Sequence, residues 1–399
     1  MKEIVEFEQG FKPKGKIKVE LMDISGEVIH KQETENFIAK PVQKIYDELM
    51  RDVFTYNRGT GKHRFADIYF DPFNSLELTD ATHPEDPQNE WVRAGKSIGY
   101  AFTSDSYSGT STLRGSYNLV ESFTNREQVH IVVDFPTHAG IGTFQSIYFM
   151  AGRNNLSTNT NSKFTNNQYY KIVKHNGVVY AFFNEDTNNT LYILNEKTYV
   201  LEKSIPLGQN YYDFCMVGNK IYFITRTELY SANISNPSET TIEKDDFSSN
   251  AYGINYNPTT GRWFISTGSE IYMYDSSWNL LSTYTGLNYY GSRINKIIAV
   301  TEEGIITSYG DFIHTGGTYD GQIVRIASIS TSSSSDNNRL AGVVEGYLLY
   351  SFTGSGSTRG LYKIPLINIG SRALLDEPVT KGNTQTMKIT YDFMLPPMN

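Results

Sequence analysis

Between residues 165 and 370 the hydrophobic pattern is that of short strands, and it repeats. Val178-Val179-Tyr180-Ala181-Phe182-Phe183, Lys220-Ile221-Tyr222-Phe223-Ile224 and Arg262-Trp263-Phe264-Ile265 are β-branched and aromatic runs bounded by Gly, Asn and Pro. Helical repeats would instead space apolar residues at i, i+3, i+4 and i+7. Turn glycines follow the first strand of each unit at Gly177, Gly218, Gly261, Gly304 and Gly346, in steps of 41, 43, 43 and 42 residues. A later pair keeps the same beat: Leu191-Tyr192, Leu229-Tyr230, Ile271-Tyr272, Ile323-Val324 and Leu361-Tyr362. These pairs are expected to mark the third strand of each unit. A period in the low forties with about four short strands per unit predicts a β-propeller. Each unit is a small sheet that cannot bury its faces alone, so five of them must stack as blades in a ring.

The flanks carry a different pattern. Lys16-Ile17-Lys18-Val19-Glu20-Leu21 alternates strictly, turns at Ile24-Ser25-Gly26-Glu27 and resumes as Val28-Ile29-His30, which predicts a hairpin with one buried and one wet face. From Pro41 to Val53, Val42, Ile45, Tyr46, Leu49 and Val53 fall on one face and predict the one helix. Strands are expected at Ala66–Phe70, Gln128–Phe135 and Thr143–Met150, and an Asn/Ser/Thr-rich linker at 151–167. Thr386 to Phe393 alternates again, and is expected to return to the N-terminal domain rather than close the ring. The fold class predicted is mainly β: a sandwich-like N-terminal domain with one short helix at 1–160, a five-bladed propeller at 161–376, and a returning strand within 377–399.

Composition narrows the function. A net charge of −8 argues against a nucleic-acid-binding surface. The chain has 29 Tyr and 22 Phe but only 20% charged residues, a balance typical of β proteins that present extracellular or particle surfaces. The lone Cys215 leaves no disulfide within the chain and reads as a small buried hydrophobe. The first residues show no secretory h-region, and no stretch approaches a membrane span. Such a chain is expected to be made in the cytoplasm, to engage no membrane, and to leave as part of a particle.

The flanking segments add a resemblance. Lys14-Gly15-Lys16-Ile17-Lys18-Val19-Glu20-Leu21, Gly26-Glu27-Val28 and Glu35-Asn36-Phe37-Ile38 resemble the opening of tail and baseplate proteins of phages that infect Gram-positive bacteria. Val129 to Pro136 and Gly142 to Tyr148 are similar to a strand–turn–strand element of those proteins, with Ala139-Gly140-Ile141-Gly142-Thr143 where a small-Asn-Gly-Thr turn is usual. Met387-Lys388-Ile389-Thr390-Tyr391 is similar to their last strand. The resemblance covers about the first 150 residues and the last 15. It implies a virion protein of the tail or baseplate, partnered with other tail proteins and oligomeric, a trimer being favoured. It also implies an outward-facing propeller that binds the host surface.

The candidate chemistry is a second repeat inside the first. Asn and Tyr precede the first strand of successive blades: Asn167-Gln168-Tyr169-Tyr170, Asn210-Tyr211-Tyr212, Asn250-Ala251-Tyr252 and Asn288-Tyr289-Tyr290, with Asn337-Asn338-Arg339 at the fifth. Segments entering a blade's first strand lie by the central channel. Tyr170, Tyr212, Tyr252, Tyr290, Asn210, Asn288 and Arg339 are therefore expected to ring one mouth of the axis. Phenol rings stack on sugar faces while amides and guanidinium donate to hydroxyls or phosphates, so a cell-wall glycopolymer is the expected ligand. The architectural alternative is that the aromatics fill the ring and Asn makes the turn. A scaffold without ligand is a second alternative. A polysaccharide-cleaving propeller is a third, for which Asp213, Asp245 and Asp246 are the candidate carboxylates; a non-enzyme is preferred. The seven histidines show no ligand spacing, and no metal or phosphate-cradling motif occurs, so no cofactor is implied.

Overall fold

The computed structural model describes residues 14–38, 73, 75–86, 92–103, 105–125, 128–150, 163–165, 169–184, 187–247, 250–267, 269–287, 296–326, 339–352, 360–365 and 369–394. Among them the only helical element is a 3₁₀ turn, Gly317–Tyr319. The helix expected from Pro41 to Val53 and the strand expected at Ala66–Phe70 lie outside the described residues. The described residues form two compact units, one from 14–150 with 369–394 and the other from 163–365.

The first unit is one large antiparallel sheet. Its strand order is Ser97–Phe102, Ser75–Thr79, Gly142–Met150, Ile369–Lys381, Val28–Ile38, Lys14–Met22, Thr386–Met394, Gln128–Phe135, Ser116–Tyr117. The two edges approach each other, because Tyr100 N–H donates to Leu113 O and Gly115 N–H donates to Tyr100 O, both at 2.8 Å. A nearly closed sheet leaves little exposed edge to pair with other chains. Period-two alternation sends Ile17, Val19 and Leu21, with Met387, Ile389 and Tyr391, into one buried core. The opposite face of the same strands carries Lys16, Lys18 and Glu20, with Lys16 paired to Glu33. The last strand lies between Lys14–Met22 and Gln128–Phe135, with Ile389 opposite Val19 on one side and Val133 on the other. Ile369–Lys381 also belongs to this sheet, so the boundary expected at 376/377 falls inside a strand.

The second unit is five four-stranded antiparallel sheets arranged as a five-bladed propeller. Blade one is Lys171–His175, Val178–Phe182, Asn188–Leu194 and Leu201–Tyr211. Blade two is Asp213–Val217, Lys220–Ile224, Leu229–Asn233 and Asn236–Lys244. Blade three is Gly253–Asn257, Arg262–Ser266, Ile271–Tyr274 and Leu280–Tyr284. Blade four is Ile297–Val300, Gly304–Thr307, Asp311–His314 and Ile323–Arg325. Blade five is Arg339–Val344, Tyr347–Phe352 and Gly360–Pro365, completed by Lys163–Thr165 from the other end of the repeat. The five innermost strands touch in a closed ring.

Hydrophobic cores lie between consecutive blades, as stacking requires. Phe182 packs on Phe214 and Phe223, Ile224 on Ile254 and Trp263, Phe264 on Ile297 and Ile305, and Leu349 on Ile172 and Val179. At the hairpins of blades one and five, Asn176-Gly177 and Glu345-Gly346 all have positive φ, the tight turn whose twist matches the flanking strands. Gly304 serves another need: a Cβ there would lie 2.1 Å from Ile313 O on the next strand.

Two expectations need correction. Ile323-Val324 is in the outermost strand of blade four, and the third strand is Asp311–His314. The turn from 308 to 310 brings the third strand early, and the 3₁₀ turn then delays the fourth. The linker expected at 151–167 contains Lys163–Thr165, which pairs with Gly360–Pro365 and so closes the ring. Three strands of local sequence leave blade five with an open edge, and ring closure by a distant strand removes it.

Candidate site at the mouth of the propeller

The inner strands begin at equivalent positions in all five blades. Lys171 pairs with Phe182, Asp213 with Ile224, Gly253 with Ser266, Ile297 with Thr307 and Arg339 with Ser351. One residue earlier stand Tyr170, Tyr212 and Tyr252, whose N–H groups donate to Phe182 O, Ile224 O and Ser266 O at 2.9, 2.8 and 2.8 Å. Three of the expected tyrosines thus share one register at one end of the axis, and all three are half-buried.

The remaining site residues are placed differently. Asn288 and Tyr290 lie outside the described residues, and the fourth inner strand begins only at Ile297. The register therefore gives the fourth position to Lys296, not to Tyr290. Asn210 is exposed near the end of blade one's outermost strand, just ahead of Tyr211, which is buried in the core between blades one and two. Arg339 is fully buried, its guanidinium carbon 4.4 Å from the centre of the Tyr170 ring.

Each described tyrosine is held. Arg226, exposed, donates its Nε–H to Tyr212 Oη at 2.8 Å. The Tyr212 and Tyr252 rings meet edge to face, with centroids 5.2 Å apart. Edge-to-face pairs and cation–ring contacts each contribute on the order of 1 kcal/mol, enough to hold a half-buried ring in one orientation. A held aromatic loses less freedom on binding than a mobile one.

Charged side chains fill the axis at this end. Lys171, fully buried, donates from Nζ to Asp213 Oδ2 at 3.2 Å and to Ile297 O at 2.5 Å, with Ile254 O at 3.5 Å. Asp213 Oδ2 also accepts from Ile254 N–H at 3.0 Å. Lys296, likewise buried, donates from Nζ to Tyr212 O at 2.5 Å. One ammonium of blade one thus ties blades two, three and four, and one of blade four ties blade two. Buried charges persist only when paired and hydrogen-bonded, and the two ammonium groups meet that demand with backbone carbonyls of other blades. Asp213, named above as a candidate carboxylate, is enclosed in this cluster. Asp246 is 73% exposed and paired with Lys244, and Asp245 is exposed.

Lys171 and Lys296 were not singled out from the sequence. The available signal was the column of first residues, Lys171, Asp213, Gly253, Ile297 and Arg339, where charge recurs at the start of strands that are otherwise apolar. Gly253 belongs to the same column for a steric reason: a Cβ there would lie 2.4 Å from Ser266 Oγ and 3.3 Å from Ile297 N. Elsewhere in the ring, burial pushes the Cys215 thiol far above its ordinary pKa, as suits a small buried hydrophobe.

No protein-family model and no curated protein matches the chain. Among solved structures, the chain is similar to a glutaminyl cyclase of Myxococcus xanthus, at 13% identity over 52% of this chain and 94% of that one, with a TM-score of 0.38. It is also similar to a virginiamycin B lyase from Staphylococcus aureus, at 11% identity over 57% of this chain and 96% of that one, with a TM-score of 0.29. A computationally designed protein, Ika8, matches at 8% identity over 61% of this chain and 69% of that one, with a TM-score of 0.29. These likenesses carry nothing about the chemistry of this chain.

Proposed function

We propose that the protein is a non-enzymatic component of a phage tail or baseplate, and that the propeller mouth binds a glycopolymer of a Gram-positive host wall. The observation that carries the binding half is the rim itself. Tyr170, Tyr212 and Tyr252 stand half-buried in one register around an axis filled by buried charges. A filled axis leaves the rim as the place where a ligand would sit. Flat rings with hydroxyls at their edges, and the exposed Arg226 beside them, suit a chain of sugars bearing phosphates.

The virion half is supported by the first unit. The segments that resemble tail proteins are far apart in sequence, around 14–38, 129–148 and 387–391, yet all are strands of one sheet. Segments that fold together can form one attachment module.

The test has two arms. Mass spectrometry and immunogold labelling of purified phage particles should find the protein on the tail; its absence from particles sinks the virion assignment. Purified protein should sediment with host walls and lose that binding when teichoic acids are chemically removed. Sedimentation with neither preparation would leave the rim without its ligand.

A further inference from the structure

The first unit contains a cleft of about 510 Å³, in the range of small-molecule sites. It lies where the ends of Lys14–Met22, Thr386–Met394, Gln128–Phe135 and Ser116–Tyr117 come side by side, under the loop that carries Tyr107 to Gly109. Its polar lining includes Asp134, Ser108 and Thr386, and its apolar lining Tyr107, Met22 and Met387.

The groups in this cleft are unequally satisfied. Asp134 is half-buried, and its hydrogen-bond partner is Asn118, whose Nδ2 donates to Oδ2 at 2.7 Å. Among the described residues Asp134 has no ion-pair partner, because Lys388, opposite it on the neighbouring strand, gives its ammonium to both oxygens of Glu121 at 2.6 Å. The Ser108 and Thr386 hydroxyls make no hydrogen bond among the described residues. Tyr107 is held in place: Arg114 stacks 4.2 Å from its ring centre, and its Oη accepts from Ser111 N–H at 3.2 Å. Gly109 lets the loop close on that ring, since a Cβ there would lie 2.1 Å from Tyr107 Oη.

From this lining we infer that the cleft is a binding site for a neutral sugar ring, separate from the propeller rim. A carboxylate that only accepts calls for ligand donors, and two free hydroxyls can pair with groups that both donate and accept. Sugar hydroxyls do both, and a vicinal pair can span the two oxygens of Asp134. An anion is disfavoured, because no Lys or Arg lines the cleft, the lining His138 turns its Nε2 to Gly109 O at 3.3 Å, and Asp134 would repel it. An ammonium would satisfy Asp134 but offers no acceptor to Ser108 and Thr386. The Tyr107 ring already faces one cation, Arg114, which weakens its attraction for a second. The apolar face of a sugar ring would instead lie on Tyr107 and the thioether of Met22.

The inference is tested on the full chain by saturation-transfer NMR with methyl glucoside, methyl galactoside and methyl N-acetylglucosaminide, with ethanolamine as the amine probe. At least one glycoside should receive saturation. Measured in the Tyr212→Ala background, which weakens the propeller rim, its signal should fall about tenfold when Asp134→Ala or Thr386→Val is added. Thr386→Val replaces one hydroxyl by a methyl of similar size, so it reads the site even if Asp134→Ala is poorly folded. Saturation of ethanolamine without any glycoside, saturation that survives Thr386→Val, or no saturation at all would overturn the assignment.

Discussion

Lys171 of the first blade and Asp213 of the second form a fully buried ion pair, Nζ to Oδ2 3.2 Å, and the same ammonium reaches the Ile297 carbonyl of the fourth blade at 2.5 Å. Most contacts in a propeller join neighbours. The contact from the ammonium to Ile297 O crosses the ring, so Lys171 reports on the ring as a whole. Removing one member leaves the other charged and enclosed, which costs about 3–5 kcal/mol, while replacing both by apolar groups is often neutral. Lys171→Met and Asp213→Leu are each expected to lower propeller stability by about that amount, and the double variant to recover much of it. Urea unfolding of the three variants measures this, and additive losses would contradict the pairing.

Gly253 makes a smaller but sharper prediction. Its backbone φ is ordinary, so strain is not the issue; space is. Ala at this position meets Ser266 Oγ at 2.4 Å and the backbone of residues 296 and 297 at 3.3 Å. Gly253→Ala is expected to destabilise by about 1–3 kcal/mol, the range of overpacked cores. Gly218→Ala tests the other glycine role, since nothing lies near its Cβ position and its φ is +57°. It should destabilise through conformation alone, by about 1 kcal/mol. Thermal midpoints rank the two, and equal stability to the parent at Gly253 would contradict the close approach.

Much of this architecture is legible in the sequence because repetition exposes it. Turn glycines and β-branched runs recur with the blades, and the alternation from Lys16 to Leu21 and from Thr386 to Phe393 names the buried face of each strand. The misplacements arise where a repeat changes its own spacing. Blade four turns early at 308–310, so its apolar pair slides to the outermost strand, and its entry moves to Lys296. Lys163–Thr165 reads as linker because three residues carry no alternation; only closure of the ring makes them a strand. The axial lysines stay hidden for a related reason. Lys171 and Lys296 look like ordinary solvated charges until five strand starts converge and remove the water.

Lys381 makes the first unit's stability depend on pH. It is almost wholly buried and donates to Pro136 O at 2.9 Å and Thr137 O at 3.2 Å. Burial lowers its pKa to about 8, against about 10.4 in an unfolded chain. Below both values the two states hold the proton equally. Between them the unfolded state binds more protons, so this group makes stability rise with pH across that window. Lys381→Met is expected to remove the rise. Denaturation midpoints at about pH 7.5 and about pH 10 compare parent and variant, and an identical slope in both would contradict the assignment.

The tyrosine rim of the propeller is proposed to grip the host wall. The most direct measurement of that grip is sedimentation of the purified chain with intact Gram-positive walls, comparing the parent with Tyr212→Ala and Tyr252→Ala. Both rings are half-buried, so each variant is expected to stay folded with a modest drop in thermal midpoint. Loss of one stacking ring should weaken wall binding by about tenfold or more. Walls that retain both variants as well as the parent would contradict the account and move the contact elsewhere on the molecule.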